Sequence, residues 1–329
     1  MYNYVFICNR KELINEFKPS GKPIILMLRG LSRSYKAWLG AQDDLSEKYD
    51  ILCIDLPGIL LSKDEKLLYS ISSMADKIVE VINYLEIDKL YIVGPSLGSM
   101  ITWEIVKKIH ISKIQGLVII VPSHSGIGIN RISKKAINIL FKLKSVNNDN
   151  EKIKLLKELL IGKTTDGRDI FEDNPDIEKK WKECILQDLK DLGKKGQFAQ
   201  LFAAAKYYSK DGLNYVKRNR IPLKFIIAEK DNMIPVKHQL DIYEYVKNPN
   251  SSLLELKNSG HDFIVTHKKE IVEAISDFVE DKNKFNSLIP APEIENNKDN
   301  KIIKKISIFA SLLILGLLIR YLFKNRRKK

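Results

Sequence analysis

From residue 23 to residue 122 the chain alternates between two patterns of apolar positions. Continuous apolar runs stand at Pro23–Leu28, Tyr49–Asp55, Leu90–Val93 and Ile114–Val121. Short runs rich in Ile, Val and Leu predict strands buried on both faces. Between them, Ser72–Leu85 carries Met74, Ile78, Val81, Ile82 and Leu85 at helical spacing, and Ile101, Trp103, Ile105, Val106 and Ile109 repeat that spacing after Met100. Strands alternating with amphipathic helices predict an α/β fold, a mostly parallel sheet covered on both faces. Val5–Cys8 reads as a short edge strand and Trp38 as part of a short helix.

The alternation stops over 123–220, which is Lys-rich. Apolar residues recur there at Ile153, Leu156, Leu159 and Leu160, and again at Phe198, Leu201, Phe202 and Ala205. These spacings predict helices, and the segment reads as a helical cap inserted between two sheet strands. The sheet resumes with a strand at Leu223–Ala228, a helix at Val236–Val246, a strand at Ser252–Leu256 and a closing helix at Lys268–Val279, whose Ile271, Ala274, Ile275 and Phe278 share one face. The expected organisation is a core of 1–122 and 221–282 around a cap of 123–220.

After Glu280 the chain turns polar, and 283–301, with Pro290 and Pro292, reads as a linker. Ile306–Ile319 then runs 14 residues with only Ser307 and Ser311 polar and no charge, and Tyr321–Phe323 extend it past Arg320. Lys304, Lys305 and Arg320 can snorkel, which lengthens the usable span. We read 302–323 as a transmembrane helix, a single-pass C-terminal membrane anchor, followed by the basic tail 324–329. An in-plane amphipathic helix or an oligomerisation helix are the alternatives; charge on all sides weighs against the first. The N-terminus shows no basic segment followed by a long apolar stretch, which favours a cytoplasmic body. The more basic C-terminal flank favours that end inside instead.

The net charge of +14 does not change this picture. Residues 123–220 hold 21 Lys/Arg against 13 Asp/Glu, and 301–329 hold 9 basic residues and no acid. The excess therefore lies in the cap and the tail, with no nucleic-acid-binding motif beside it, and no nucleic acid partner is expected. Anionic lipid suits a basic tail beside an apolar segment; abundant Lys, Ile and Asn also fit an AT-rich coding sequence. The three cysteines (Cys8, Cys53, Cys184) have neither disulfide nor zinc spacing. No metal cluster or dinucleotide fingerprint appears, so no cofactor is expected.

The candidate chemistry begins at Gly94-Pro95-Ser96-Leu97-Gly98, where a predicted strand feeds a predicted helix through a tight turn. Gly94 and Gly98 remove side chains that would collide there, and the turn lifts the Ser96 hydroxyl clear of both elements. Asp231 follows the strand Leu223–Ala228, and His261 follows the strand Ser252–Leu256. Both therefore stand at the carboxyl edge of the sheet, where sites on such folds gather. In this arrangement His261 takes the proton of Ser96 and Asp231 orients the imidazole. The amides of Leu97 and Leu31 are candidate donors to an oxyanion. Of His110, His124, His238 and His267, only His267, six residues past His261, rivals it as the base. Asp262 and Glu229 neighbour the proposed groups but are expected to point elsewhere.

In this order, Leu28-Arg29-Gly30-Leu31 with Trp38, Asp55-Leu56-Pro57-Gly58, the Ser96 turn, Asp231 before Pro235, and Gly260-His261 resemble the α/β-hydrolase-fold serine hydrolases over roughly residues 20–280. Two features depart from that pattern: Arg29-Gly30 stands where relatives often carry His-Gly, and Leu56-Pro57-Gly58-Ile59-Leu60 stands where they often carry a second glycine after the first. The resemblance implies a serine hydrolase that cleaves a carboxylic ester through an acyl-enzyme, with the cap forming the acyl pocket and gating it. The anchor makes a lipid-derived ester the natural substrate. The same triad serves peptidases, thioesterases and acyltransferases. Dehalogenases and epoxide hydrolases need an Asp where this chain has Ser96. A membrane-anchored binding module that kept the fold without the chemistry is the reading from another class.

Overall fold

The computed structural model describes residues 17–281 apart from 63–64, 129–130, 162–169 and 173. The edge strand expected at Val5–Cys8 and the segments expected as linker, anchor and basic tail lie outside the described residues. Among the described residues no helix is long and apolar enough to cross a membrane.

Six strands form one parallel sheet: β1 (Ile24–Met27), β2 (Asp50–Cys53), β3 (Leu90–Pro95), β4 (Ile114–Ile120), β5 (Leu223–Ala228) and β6 (Ser251–Leu256). Their order across the sheet is β2-β1-β3-β4-β5-β6. The helices are α1 (Ala41–Ser46), α2 (Ile71–Tyr84), α3 (Leu97–Ile105), α4 (Lys134–Ser145), α5 (Asp149–Leu160), α6 (Pro175–Lys206), α7 (Asp211–Arg218), α8 (Val236–Val246) and α9 (Ile264–Glu280). Trp38 closes a short 3₁₀ turn, Tyr35–Trp38.

Side chains of successive strand residues point to opposite faces, so an apolar strand feeds two cores at once. Leu26, Ile92, Leu117 and Ile119 join one apolar cluster with α2, α3 and α8; Met27, Val93, Val118 and Ile120 join the other with α1 and α9. This is why the strand segments read as continuous apolar runs rather than as alternations. β1 lies between β2 and β3, so the chain reverses its direction across the sheet at this strand. A crevice opens at such a reversal, outside the carboxyl ends of the strands. Here it is bordered by the segment after β1, which starts at Leu28, and the turn after β3, which carries Ser96.

Helices α4–α7 stand between β4 and β5, in the segment expected as the cap. Ile153, Leu156, Leu159 and Leu160 are buried as their spacing implies. The second half of α6 differs from expectation. Its buried face is Gly196, Ala199, Gln200, Ala203, Ala204 and the expected Ala205, while Phe198, Leu201 and Phe202 are only partly buried. Small residues let the helix approach the sheet loops closely, and Gln200 finds a polar partner there. Gly193, with φ 58°, bends α6 at its middle. In α9, His267 interrupts the first turns with φ −131° rather than starting the helix.

Asp55, just past β2, is buried, and its carboxylate accepts a hydrogen bond from the Tyr35 amide at 2.7 Å. Burial pushes its pKa up to about 7, with Asp188 adding to the rise. An unfolded chain ionises it near the ordinary carboxylate value, so the folded state holds the extra proton between the two values. Stability therefore falls as pH rises from about 4 to about 7. Asp55→Asn keeps an acceptor for Tyr35 and removes the titration. It should stabilise the fold at pH 8 by as much as ~3 kcal/mol and make little difference at pH 4. Thermal melts of both proteins at the two pH values would check this; an equal shift at both would contradict it.

Candidate active site

Each group of the candidate site follows a strand. Ser96 sits between β3 and α3 with φ 50° and ψ −115°, a conformation non-glycine residues rarely adopt. The surroundings enforce it. A side chain at Gly94 would stand 2.3 Å from Thr102 Oγ1 and 2.8 Å from the Gly98 carbonyl, and one at Gly98 would stand 3.0 Å from the Arg29 carbonyl. Without these glycines α3 could not pack so close to β3 and β1. The Ser96 amide donates to Ile120 O of β4 at 3.0 Å, which ties the turn to the sheet.

The hydroxyl of Ser96 meets His261 Nε2 at 3.0 Å, and His261 Nδ1 meets Asp231 Oδ2 at 2.7 Å. A carboxylate only accepts, so the imidazole proton lies on Nδ1 and Nε2 is free to accept from Ser96. The Asp231 side chain is fully buried and that of His261 is 11% exposed. The predicted Ser96, His261 and Asp231 are thus joined in one hydrogen-bonded chain. The rival His267 instead bonds Thr266 Oγ1 at 2.6 Å.

Asp231 is held on every side. Its Oδ1 accepts from the amides of Met233 and Ile234, both at 2.8 Å, and its Oδ2 accepts from Gln239 Nε2 at 3.0 Å as well as from His261. Gln239 on α8 was not singled out in the sequence, although an amide at a core-facing position of a helix is a readable signal. It is fully buried, and its other contacts run to the Ile234 carbonyl and the Ala228 amide. Gln239→Leu should lower kcat about tenfold while leaving KM within about twofold, because it loosens the carboxylate that orients the imidazole. Steady-state kinetics of the purified variant would decide; an unchanged kcat would show that the two backbone amides suffice.

The segment after β1 faces Ser96. A side chain at Gly30 would stand 3.4 Å from Ser96 Cβ and 3.9 Å from its Oγ, so glycine keeps the front of the hydroxyl open. The hydrogen bonds of this loop use Ser32 N, Arg33 N and Ser34 N, and those of the turn use Ser96 N and Ser99 N. None takes the amide of Leu31 or of Leu97, the two candidate oxyanion donors.

The unusual Arg29 is explained by a buried charge cluster. Its guanidinium lies 4.7 Å from the Trp38 ring centre and 3.6 Å from Asp262 Oδ1. Arg33 Nη1 donates to Asp262 Oδ2 at 2.6 Å, and Arg33 Nε lies 3.5 Å from Asp188 Oδ2 on α6. Trp181 Nε1 also donates to Asp262, at 2.7 Å. Burial alone would raise the pKa of Asp262, but Arg33 and Arg29 beside it hold it below the ordinary value. Burial lowers Arg29 to about 10, which leaves it charged at neutral pH. Asp262 therefore points away from Ser96, as expected, and into this cluster. Glu229 also points elsewhere, accepting from the Asn258 amide at 3.0 Å.

The cap helices reach three loops of the site. On α6, Asp188 accepts from the Ser34 amide at 3.0 Å and Gln200 from the Ser32 amide at 2.8 Å. Leu160 O accepts from the Asp262 amide at 2.9 Å, and Glu158 O from Asn232 Nδ2 at 3.0 Å. Ser133, which caps α4, donates its amide to Met233 O at 3.0 Å and its hydroxyl to Asn232 O. The loops of Arg29, Asp231 and His261 are thus each fixed by the cap.

A strained serine hydrogen-bonded to an imidazole, which is in turn bonded to a buried carboxylate, can deliver a nucleophile to a carbonyl carbon. The comparisons bear on the fold. The model of the α/β hydrolase fold family matches residues 23–268. An uncharacterised protein of Mycobacterium tuberculosis is 24% identical over 254 residues, covering 73% of this chain and 70% of that protein. A monoacylglycerol lipase of Xenopus laevis is 23% identical over 269 residues, 80% of this chain and 77% of the lipase. Among solved structures, a thermophilic esterase from Thermogutta terrifontis superposes with a TM-score of 0.61 at 17% identity, over 80% of this chain and 90% of the esterase. With a parallel six-stranded sheet and a family match across most of its length, the chain belongs to the α/β hydrolase fold family.

Proposed function

We propose that this protein is a serine hydrolase that cleaves a carboxylic ester, with Ser96 as nucleophile, His261 as general base and acid, and Asp231 as the group that orients His261. One observation carries the reading: His261 lies within hydrogen-bond distance of Ser96 through one ring nitrogen and of Asp231 through the other. Ser96 Oγ attacks the ester carbonyl as His261 Nε2 takes its proton. The amides of Leu31 and Leu97 stabilise the oxyanion. The imidazolium, held by Asp231, returns the proton to the leaving alcohol, and an acyl-Ser96 intermediate remains. Water then repeats the sequence and frees the acid.

A lipid-derived ester is the substrate class we favour. Its support is the likeness to a monoacylglycerol lipase and the apolar segment 302–323 with its basic tail, which would tether the enzyme to a bilayer. The test is labelling by a fluorophosphonate, followed by hydrolysis of monoacylglycerols and 4-nitrophenyl esters of graded length. Labelling of Ser96 together with a preference for long acyl chains is the expected result. Activity confined to acetyl esters would overturn the lipid substrate. An unlabelled, folded protein would overturn the hydrolase itself in favour of a binding module.

A further inference from the structure

We propose that Arg131, with His238 beside it, binds an anionic group of the substrate, a carboxylate or a phosphate at the end remote from the scissile ester. This rests on the hydrolase reading and gives it a substrate class.

Arg131 lies between β4 and α4. Its Nη1 donates to Ser125 Oγ and to Ala204 O, the latter at 3.2 Å, and both acceptors are neutral. Among the described residues no carboxylate forms an ion pair with it. The contrast with Arg29 and Arg33 is direct, because those two cations share Asp262 and Asp188. Burial lowers Arg131 to about 10, and the Tyr208 phenol is the one titratable group that opposes the fall. It therefore remains a cation at neutral pH. A partly buried cation without a counter-ion is costly to keep, and a bound anion would offset that cost.

His238 supplies a second donor. Its Nε2 accepts from the His124 amide at 3.3 Å, which leaves the ring proton on Nδ1. That Nδ1 is buried and has no hydrogen-bond partner among the described residues. Burial, and then the charge of Arg131, hold His238 down to about 4, so it is a neutral donor at physiological pH. Asp241 is the one carboxylate whose charge acts on His238; it is paired with Lys237 at 3.2 Å on the surface. The adjacent His124 is spent: its Nδ1 accepts from Gly126 N at 3.0 Å and its Nε2 meets Ser209 O at 3.0 Å. Burial holds it neutral, at about 3.

The groups that hold Arg131 stand on elements that also support the candidate active site. Ala204, which holds Arg131, is four residues along α6 from Gln200, which holds the loop of Gly30. That separation is about 6 Å along a helix axis. Ser125 lies five residues past Ile120, whose carbonyl receives the Ser96 amide. Ser133, two residues past Arg131, is bonded to the loop of Asp231. The contacts of Arg131 thus lie on the same elements that support Gly30, Ser96 and Asp231.

The experiment compares two esters of equal length, 4-nitrophenyl pentanoate and the 4-nitrophenyl half-ester of glutaric acid, which ends in a carboxylate. Wild type should show a kcat/KM ratio favouring the half-ester by about tenfold or more, carried by KM. In Arg131→Met the ratio should collapse toward one or below, and Arg131→Lys should restore part of it. Because a ratio is read, partial loss of folded protein does not imitate the effect. A ratio near one in wild type, or one unmoved in Arg131→Met, overturns the proposal. A second arm needs no turnover: thermal shifts of the Ser96→Ala protein with glutarate and with glycerol 3-phosphate. A shift by glutarate alone identifies a carboxylate, a shift by glycerol 3-phosphate alone identifies a phosphate headgroup, and no shift by either overturns the site. Fluorophosphonate labelling of Ser96 reports on the hydrolase reading separately.

Discussion

Replacing Ser96 with alanine should lower kcat for ester hydrolysis by about 10⁴- to 10⁶-fold, with KM little changed. In the proposed reaction the hydroxyl supplies the atom that bonds to the acyl carbon. His261→Ala should cost nearly as much, since Ser96 is a weak nucleophile until its proton is taken. The double variant should be no worse than either single one, because the three groups act as a unit. Asp231→Asn leaves the packing in place but forces the wrong imidazole tautomer, and about 10⁴ in kcat should be lost. Rates with a chromogenic ester, on protein whose melting is unchanged, would check the series. A Ser96→Ala enzyme within tenfold of wild type would assign the chemistry to another group.

The largest effect on stability should come from Asp262→Asn. Asp262 is buried between Arg33, Arg29 and Trp181. Its neutralisation leaves two guanidinium groups with Asp188 as the remaining acid of the cluster. Breaking a buried pair from one side costs about 3–5 kcal/mol, because the stranded charge has lost its compensation. For a domain of this size that is a fall in melting temperature of about 8–15 °C. The exposed pair Lys77–Glu80, with side chains 44% and 62% exposed, gives the contrast. Lys77→Met should shift the melt by no more than about 1–2 °C. Equal shifts for the two variants would mean that solvent reaches the Asp262 cluster.

Much of the fold was legible because parallel strands announce themselves. Strand Leu90–Pro95 carries no charge and Leu223–Ala228 is interrupted only by Lys224, and the residues just beyond them are the ones that face the crevice. The order Ser96, Asp231, His261 follows from that rule with little else. What the sequence hid were polar residues inside helices. Asp188, Gln200 and Gln239 lie buried on α6 and α8, where a pattern of apolar spacing treats each as an interruption. The same habit mistook the buried side of α6. Phe198, Leu201 and Phe202 look like a core stripe, yet the helix turns its small residues and Gln200 inward, because the loop of Ser32 needs an acceptor there. The cap was expected to gate the site; its hydrogen bonds make it a fixed support for the loops as well.

Those bonds have a consequence for exchange of parts between relatives. A cap moved onto a sheet without an arginine at this place would arrive with Asp188 and Gln200 but lack the cation that pairs with Asp188 here. The sheet left behind would keep two buried cations facing Asp262 alone. The unit that can be transplanted is therefore the cap with the loops it grips.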